Sequence, residues 1–356
     1  MNFKSVHPFI IAGPCGAESR EQTLATCRAL ASTGIVHAFR AGVWKPRTNP
    51  SSFQGAGDVA LEWLKEASRE TGLPFGIEVA SAEHVRKAVE HGAGFVWIGA
   101  RTTVNPFMVH GIASAIGETG MAVLIKNPVT PDVDLWEGAV ERMLGAAVDE
   151  SKIGLIHRGF SMAGHGSYRN PPMWHIALEM RRRCPQLTML CDPSHIAGKR
   201  ELIPDISQKA ADLGYDGLMI ESHIDPAAAL SDAAQQFTPD DLATVLHSIK
   251  WRAGGTDNPA FAAVLQRCRA EIDRLDAELL GLLSHRMNIS EQIGIIKKEN
   301  NVTILQEKRW SEITHSTLSQ AEALNLSPEF LRALLEAIHL ESINRQNKVM
   351  SEGDKQ

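Results

Sequence analysis

Up to about Lys250, short apolar runs recur along the chain. Each is followed by a stretch whose apolar residues return every three or four positions. The runs read as strands at 9–14, 36–42, 75–79, 95–99, 122–126, 154–157, 188–191 and 217–221, too short for buried helices and bounded by turn residues. Between them, 20–32, 59–71, 82–91 and 205–213 carry the helical period. Strands that alternate with helices in this way predict a parallel sheet, and eight such units within residues 1–250 fit a closed (β/α)8 barrel. An open, doubly wound sheet is the structural rival. It would be favoured by a Gly-x-Gly-x-x-Gly turn after a strand, and none is found.

The period changes after the turn-rich segment Trp251-Arg-Ala-Gly-Gly-Thr-Asp-Asn-Pro259, which reads as a linker. Leu265, Cys268, Ile272, Leu275, Leu279, Leu282, Arg286, Ile289, Ile293 and Ile296 are spaced by alternate steps of three and four. This is a heptad seam on one long helix over 259–298. A shorter helix is expected over 307–323. A third begins at Ser327-Pro328, an N-cap with proline at the first position, and runs to about 349. The chain is therefore expected to comprise a barrel over 1–250, a linker over 251–259, a small all-α domain over 260–350 and a disordered tail over 351–356. From periodicity alone, the helical part is most simply a coiled-coil dimerisation module.

Composition narrows the function classes. With 356 residues, 44% hydrophobic and 22% charged, the chain is an ordinary globular protein, and a formal charge of −6 argues against nucleic acid or anionic membrane as partners. The run Arg181-Arg182-Arg183 reads as the solvated face of a helix. The five cysteines have no close-pair metal spacing, and their odd number speaks against a disulfide scaffold. The apolar stretch 9–12 is too short for a signal peptide, and no run reaches the ~20 residues of a membrane span. A reduced, cytoplasmic protein is expected.

Chemistry gathers at one end of the strands. Their C-terminal ends carry Cys15, Arg40 with Lys45, Glu78, Arg101, Lys126, His157 with Arg158, Asp192 with His195, and Glu221 with His223. Scattered surface charge would not choose the same end of successive strands, and in a barrel this end is where active sites are assembled. The cations Arg40, Lys45, Arg47, Arg101, Lys126 and Arg158 call for an anionic ligand such as a phosphate or carboxylate. Cys15, His195, Glu221 and Asp232 offer one thiolate, one imidazole and two carboxylates, a set suited to Mn, Fe, Co or Zn. Taken singly, Cys15 would more often be a small buried hydrophobe.

Gly13-Pro-Cys15, Trp44-Lys-Pro-Arg-Thr48 with Ser52-Phe-Gln-Gly55, Ile98-Gly-Ala-Arg101, Asp192-Pro-Ser-His195 and Ile220-Glu-Ser-His223, followed by 229–236, together resemble DAHP synthase of the short-barrel subfamily over residues 1–250. The resemblance implies condensation of phosphoenolpyruvate with erythrose 4-phosphate to 3-deoxy-D-arabino-heptulosonate 7-phosphate, the entry step to aromatic amino acids. It implies a divalent metal on Cys15, His195, Glu221 and Asp232. Phosphoenolpyruvate would be bound by Arg40, Lys45, Arg101, Lys126 and Arg158, and erythrose 4-phosphate by Arg47 and Thr48. Lys45 and a water on the metal are the implied proton-transfer groups, with Glu78 and His223 behind them. The chain departs from the family's usual pattern at Asn127-Pro128 and at Ile156-His157, leaving the cations in place. One rival is KDO 8-phosphate synthase, which typically reads Lys-Ala-Asn-Arg where this chain has Lys45-Pro-Arg-Thr48. A second is a Schiff-base aldolase using Lys126, which would not need the thiolate and carboxylates.

In the helical half, Arg286 interrupts the apolar seam, and a guanidinium there requires a carboxylate or an anionic ligand. Arg269 and Lys297 border the same seam. The stripe Leu331, Leu334, Ile338 continues into Ser342 and Gln346. The spacing of Arg269, Asp276, Arg286, Lys297, Arg309, Ser342 and Gln346 resembles the all-helical chorismate mutase family over 260–350. The resemblance implies an intertwined homodimer, extendable to a higher oligomer, with Arg269 crossing from the partner. Chorismate and prephenate would be bound by Arg269, Arg286, Lys297, Arg309, Ser342 and Gln346. Of these, Arg286, Lys297 and Gln346 would be catalytic. Members commonly place an aspartate and a glutamate near Arg309, where this chain has Gln306 and Trp310, so turnover is expected to be weaker or the contact supplied differently. With Met1 close to the first strand, no regulatory domain is expected ahead of the barrel, and allosteric control is assigned to the helical half.

Overall fold

The computed structural model describes residues 1–45, 51–162, 166–321 and 323–351, with Glu307 described by its backbone alone. They divide into two compact units, Met1–Gly254 and Gly255–Gln356.

The first unit is a closed barrel of eight parallel strands in sequence order. They are β1 (Phe9–Gly13), β2 (Ala38–Ala41), β3 (Phe75–Val79), β4 (Phe95–Ile98), β5 (Ala122–Lys126), β6 (Ile153–His157), β7 (Thr188–Cys191) and β8 (Gly217–Glu221), with β8 pairing back onto β1. The expected strands lie within a residue or two of these bounds. The helices Arg20–Ser32, Val59–Thr71, Ala82–Glu90 and Ile203–Asp212 occur where the helical period lies. Strand side chains alternate between two cores. Phe9, Ile11, Ala38, Phe95, Trp97, Ala122, Leu124, Ile156, Leu190 and Met219 fill the barrel interior, with Phe3 among them. The opposite parity, such as Ile10, Phe39, Ile77, Val96, Val123, Leu155 and Leu218, packs under the helices. Gly13 has φ +152°, and a Cβ there would meet the Arg40 carbonyl oxygen at 2.0 Å, so β1 and β2 can approach only through a glycine.

Of the run expected to be a solvated helix face, Arg182 is exposed, while Arg181 and Arg183 are half-buried in ion pairs. They pair with Asp216, Glu179, Asp134 and Glu137.

The second unit is helical. A helix of 41 residues, Pro259–Glu299, is capped by the Asn258 side chain. It packs along Pro328–Ser351, and Glu307–Leu318 lies against the latter. The middle helix stops short of the expected 323. At its end Gln320 and Ala321 donate to Thr317 and Leu318, tightening the chain into turns. Of the tail expected over 351–356, Ser351 still belongs to the last helix, and 352–356 lie outside the described residues. Within one chain, Met287, Ser290 and Gly294 bury the contact with the third helix. The heptad seam points elsewhere, with Ile272, Leu275, Leu279, Leu282, Ile289, Ile293 and Ile296 all exposed. No helix among the described residues is long and apolar enough to cross a membrane.

Candidate functional site

The inward parity of the strands sets the site. Inward residues are apolar through the barrel, and one or two residues further on the same parity delivers polar groups to the C-terminal mouth. Arg40, Glu78, Lys126, Arg158 and Glu221 line a cavity there with Cys15, Lys45, Arg101, Arg169, Asn170, His195 and Asp232. Arg47 and Thr48, the expected erythrose phosphate ligands, lie outside the described residues.

Three potential ligand atoms converge. Cys15, Glu221 and Asp232 each offer an atom within 4.8 Å of the others. His195, the fourth expected ligand, falls outside that group of three, though its Nε2 lies 3.8 Å from Glu221 Oε1. Cys15 Sγ is 3.0 Å from Asp232 Oδ2 and accepts a hydrogen bond from Lys45 Nζ at 2.7 Å. Glu221 Oε1 is buried without a hydrogen bond, though Arg40 Nη2 is 3.3 Å away. A buried carboxylate oxygen with no donor, beside a thiol and an imidazole, fits a divalent cation: the cation would satisfy all of them at once.

The electrostatics agree with this reading. Burial, with Glu221 close by, pushes the Cys15 thiol up to about 12 despite Lys45, so the protein alone holds it protonated. A coordinated thiol is deprotonated by the ion itself. Burial lowers His195 against the pull of Asp192, favouring the neutral imidazole that ligates metals. Burial alone would raise Glu221 and Asp232. His195 and Arg40 outweigh it at Glu221, and Arg169 and His195 at Asp232, so both are held below the usual carboxylate range.

The basic wall is built on Trp97. Arg40 lies over its ring at 5.0 Å and Lys126 at 6.0 Å, while its Nε1–H donates to Glu78 Oε2 at 3.0 Å. Arg40 Nε and Nη1 are buried with no hydrogen-bond acceptor among the described residues. Lys126 Nζ pairs with Asp192 Oδ2 at 2.8 Å. Burial, with Asp192 opposing it and Arg169 and Arg101 adding to it, brings Arg158 down to about 10, still cationic at neutral pH. The wall suits an anion with several oxygens.

Two expected residues sit elsewhere. His157 is one position out of parity and points away from the cavity. Its Nε2 faces the Pro172 carbonyl at 2.6 Å and its Nδ1 the Tyr215 hydroxyl at 2.9 Å, with Trp174 edge-on. His223 is turned behind β8, with Nδ1 accepting from the Asp225 amide at 2.9 Å and Nε2 3.5 Å from Glu18. It is not among the residues that line the cavity.

Several groups gave little signal. Asp192 stands at a strand end, where the sequence alone marks no role for it. It caps the Pro193–Ala197 helix by accepting from the His195 amide and also touches His195 Nδ1, at 2.8 Å from Oδ2. Arg169 and Asn170 come from an aperiodic loop, and Gln235 and Gln236 from the end and C-cap of the short turn of 3-10 helix in the 229–236 stretch. Gln236 Oε1 accepts from the Cys15 amide at 2.9 Å, and Asn170 Nδ2 donates to the His195 carbonyl at 2.6 Å.

In the helical unit, Arg286 Nη1 donates to Ser342 Oγ at 2.6 Å, and Lys297 Nζ to Gln346 Oε1 at 3.2 Å and the Ile304 carbonyl at 2.5 Å. A Cβ on Gly294 would lie 3.1 Å from Gln346 Cα, so the helices approach closely here. Arg309 is exposed and pairs with Glu312 at 3.5 Å. Arg269 lies seventeen positions before Arg286 on the same helix, about 25 Å away at 1.5 Å per residue, so one chain does not bring it to this cluster. Trp310 stacks flat on His339 with ring centroids 4.0 Å apart, placing an aromatic pair where a carboxylate was expected.

Comparison with known proteins agrees with both halves. Residues 4–253 match the DAHP synthetase I family and residues 268–347 match chorismate mutase type II. Phospho-2-dehydro-3-deoxyheptonate aldolase of Thermotoga maritima is 33% identical over 226 residues, which are 64% of this chain and 64% of that protein. The 2-dehydro-3-deoxyphosphooctonate aldolase of Polaromonas naphthalenivorans is 28% identical over 247 residues, covering 63% of this chain and 82% of that one. A crystal structure of the Thermotoga maritima DAHP synthase superposes with a TM-score of 0.60 at 31% identity, over 67% of each chain. A truncated form from the same organism gives 0.57 at 27% identity, over 67% of this chain and 84% of that one. This chain belongs to the DAHP synthetase I family and carries a chorismate mutase type II domain behind its barrel.

Proposed function

We propose that the barrel, residues 1–250, condenses phosphoenolpyruvate with erythrose 4-phosphate, and that the helical domain, residues 260–350, converts chorismate to prephenate across the 251–259 linker. The observation that carries the first part is the convergence of Cys15, Glu221 and Asp232 within 4.8 Å beside a wall of buried cations. With His195 they would hold one divalent ion, Mn, Fe, Co or Zn. Bound there, the ion supplies Lewis acidity toward the aldehyde carbonyl of the second substrate.

The chain's own groups do the rest. Arg40, Lys126 and Arg158, with Arg101 at the rim, hold the carboxylate and phosphate of phosphoenolpyruvate and fix its nucleophilic methylene carbon toward the aldehyde, leaving the phosphate-bearing enol carbon open to water. Arg47 and Thr48 take the erythrose phosphate. A carbon–carbon bond forms, water adds to the former enol carbon, and the phosphate ester leaves as inorganic phosphate, the cations stabilising the charge that moves onto it. Lys45 Nζ, 2.7 Å from Cys15 Sγ, is the proton-transfer group, with Glu78 across the cavity as the alternative. Lys126 is engaged with Asp192, which supports a role as a charge and disfavours an imine on that lysine.

The mutase needs no covalent step. Arg286, Lys297 and Arg309, joined by Ser342, Gln346 and a partner chain's equivalent of Arg269, bind the dianion in its reactive conformer. Lys297 and Gln346 stabilise charge on the ether oxygen. The exposed apolar seam of the long helix supports assembly as a dimer. Prephenate or chorismate bound in this half is proposed to regulate the barrel. Free thiols and the absence of a long apolar helix among the described residues fit a cytoplasmic setting.

The test is an assay of purified protein with phosphoenolpyruvate plus either erythrose 4-phosphate or arabinose 5-phosphate, with and without chelator, and a parallel assay with chorismate. Phosphate release with the four-carbon aldehyde that chelator abolishes is the expected result. Preference for the five-carbon aldehyde would move the barrel to KDO 8-phosphate synthesis.

A further inference from the structure

Arg169, among the cations that line the cavity, is turned toward the carboxylates of the candidate metal cluster. Arg169 lies in the loop between β6 and β7, and its Nη1 donates to Asp232 Oδ1 at 3.0 Å and to Gln235 Oε1 at 2.9 Å. Gln235 is itself buried and passes the contact on, its Nε2 donating to Glu221 Oε2 at 2.6 Å. Each carboxylate is thus held by its outer oxygen. The other oxygens, Asp232 Oδ2 and Glu221 Oε1, are left toward the cluster, the first 3.0 Å from Cys15 Sγ and the second 3.8 Å from His195 Nε2.

We propose that Arg169, acting through Gln235, is the positioning residue for the metal-binding carboxylates, not a substrate ligand; the proposal rests on the metal reading of Cys15, His195, Glu221 and Asp232.

The arrangement is built rather than incidental. The Arg169 and Asn170 amides donate to the Ala197 and Ile196 carbonyls, tying the loop to the short helix that carries His195. Gly198, at φ +71°, makes room: a Cβ there would sit 2.5 Å from Arg169 Cβ and 3.1 Å from its Cδ. Asp232 adopts φ +51°, a left-handed backbone unusual for a non-glycine residue, which the Arg169 ion pair helps to hold. Both bonds leave one nitrogen, Arg169 Nη1, whose two N–H groups lie in the fixed guanidinium plane, so the carboxylate and amide oxygens are held at a set angle that a freely rotating ammonium does not impose.

The experiment is titration of chelator-treated full-length protein with Mn2+, reading free ion by electron paramagnetic resonance, for wild type, Arg169→Ala, Arg169→Lys and Gln235→Ala. Thermal unfolding of each metal-free protein is followed alongside. Loss of an outer partner of a ligand typically costs 10–100-fold in metal affinity. Arg169→Ala and Gln235→Ala are expected to weaken Mn2+ binding by about that factor with the metal-free midpoint unchanged, and Arg169→Lys to recover part of it. Affinity within twofold of wild type in Arg169→Ala, with only the KM for phosphoenolpyruvate raised, overturns the proposal and makes Arg169 a substrate ligand. A loss matched by a lowered metal-free midpoint in all three variants overturns it as well. Failure of wild type itself to bind Mn2+ removes the metal reading beneath it.

Discussion

At the scale of single residues, Asp192 shows how one carboxylate can organise two functional groups. It pairs with Lys126 Nζ at 2.8 Å and with His195 Nδ1 at 2.8 Å, while capping the helix between them. Burial would raise this carboxyl, but His195 and Lys126 hold it well below the usual range. Asp192→Asn keeps a cap acceptor and loses the charge. It should lower kcat/KM for condensation by 10–100-fold, measured by phosphate release, while chorismate turnover stays unchanged. His157 supports a different prediction. Burial pulls its imidazole down to about 4, so the folded barrel binds it neutral between the Pro172 carbonyl and Tyr215. Between pH 6.5 and 4 the unfolded chain carries the extra proton. The resulting stability is complete above pH 6.5 and is lost as pH falls toward 4, by about 3 kcal/mol. Urea midpoints across that range should fall less steeply in His157→Gln than in wild type. Equal slopes would contradict the assignment.

At the scale of elements, the barrel strands were legible because period and length agree, and strands bounded by turns leave little choice. The mouth chemistry was legible as a pattern at strand ends, yet parity was the better guide. From Gly154 and Ile156 the inward step reaches Arg158, and His157 falls on the helix side. His223 follows β8 at the right spacing but after the strand has ended, where parity no longer directs the side chain. Arg169 had no periodic signal, since its irregular loop carries chemistry without a repeat to expose it, and Gln235 was marked only by the 229–236 stretch of the family resemblance. In the helical unit the heptad seam was correctly placed on one long helix but does not form that helix's contact with its neighbour, which uses Met287, Ser290 and Gly294. The apolar seam is therefore left for another surface. Leu279→Glu combined with Ile289→Glu should convert a dimer to a monomer by light scattering while far-ultraviolet circular dichroism is retained. An unchanged mass would refute dimerisation through this face.

At the scale of the whole molecule, one chain joins a DAHP synthetase I barrel to a chorismate mutase type II domain. If the helical half controls the barrel, prephenate should inhibit phosphate release by the intact protein and leave a chain truncated at residue 255 unaffected. Equal response, or none, in both would rule this out. The departures at Gln306 and Trp310 belong to the same scale: Trp310 stacks on His339, and the lack of the acid pair that the resemblance implies leads us to expect weaker chorismate turnover. The central claim is that Cys15, His195, Glu221 and Asp232 share one ion. X-ray absorption at the zinc edge of protein loaded with one Zn2+ per chain tests it most directly. The account predicts one sulfur at about 2.3 Å with nitrogen and oxygen ligands at about 2.0–2.2 Å, and loss of the sulfur shell in Cys15→Ser. A wild-type shell of nitrogen and oxygen alone would contradict it.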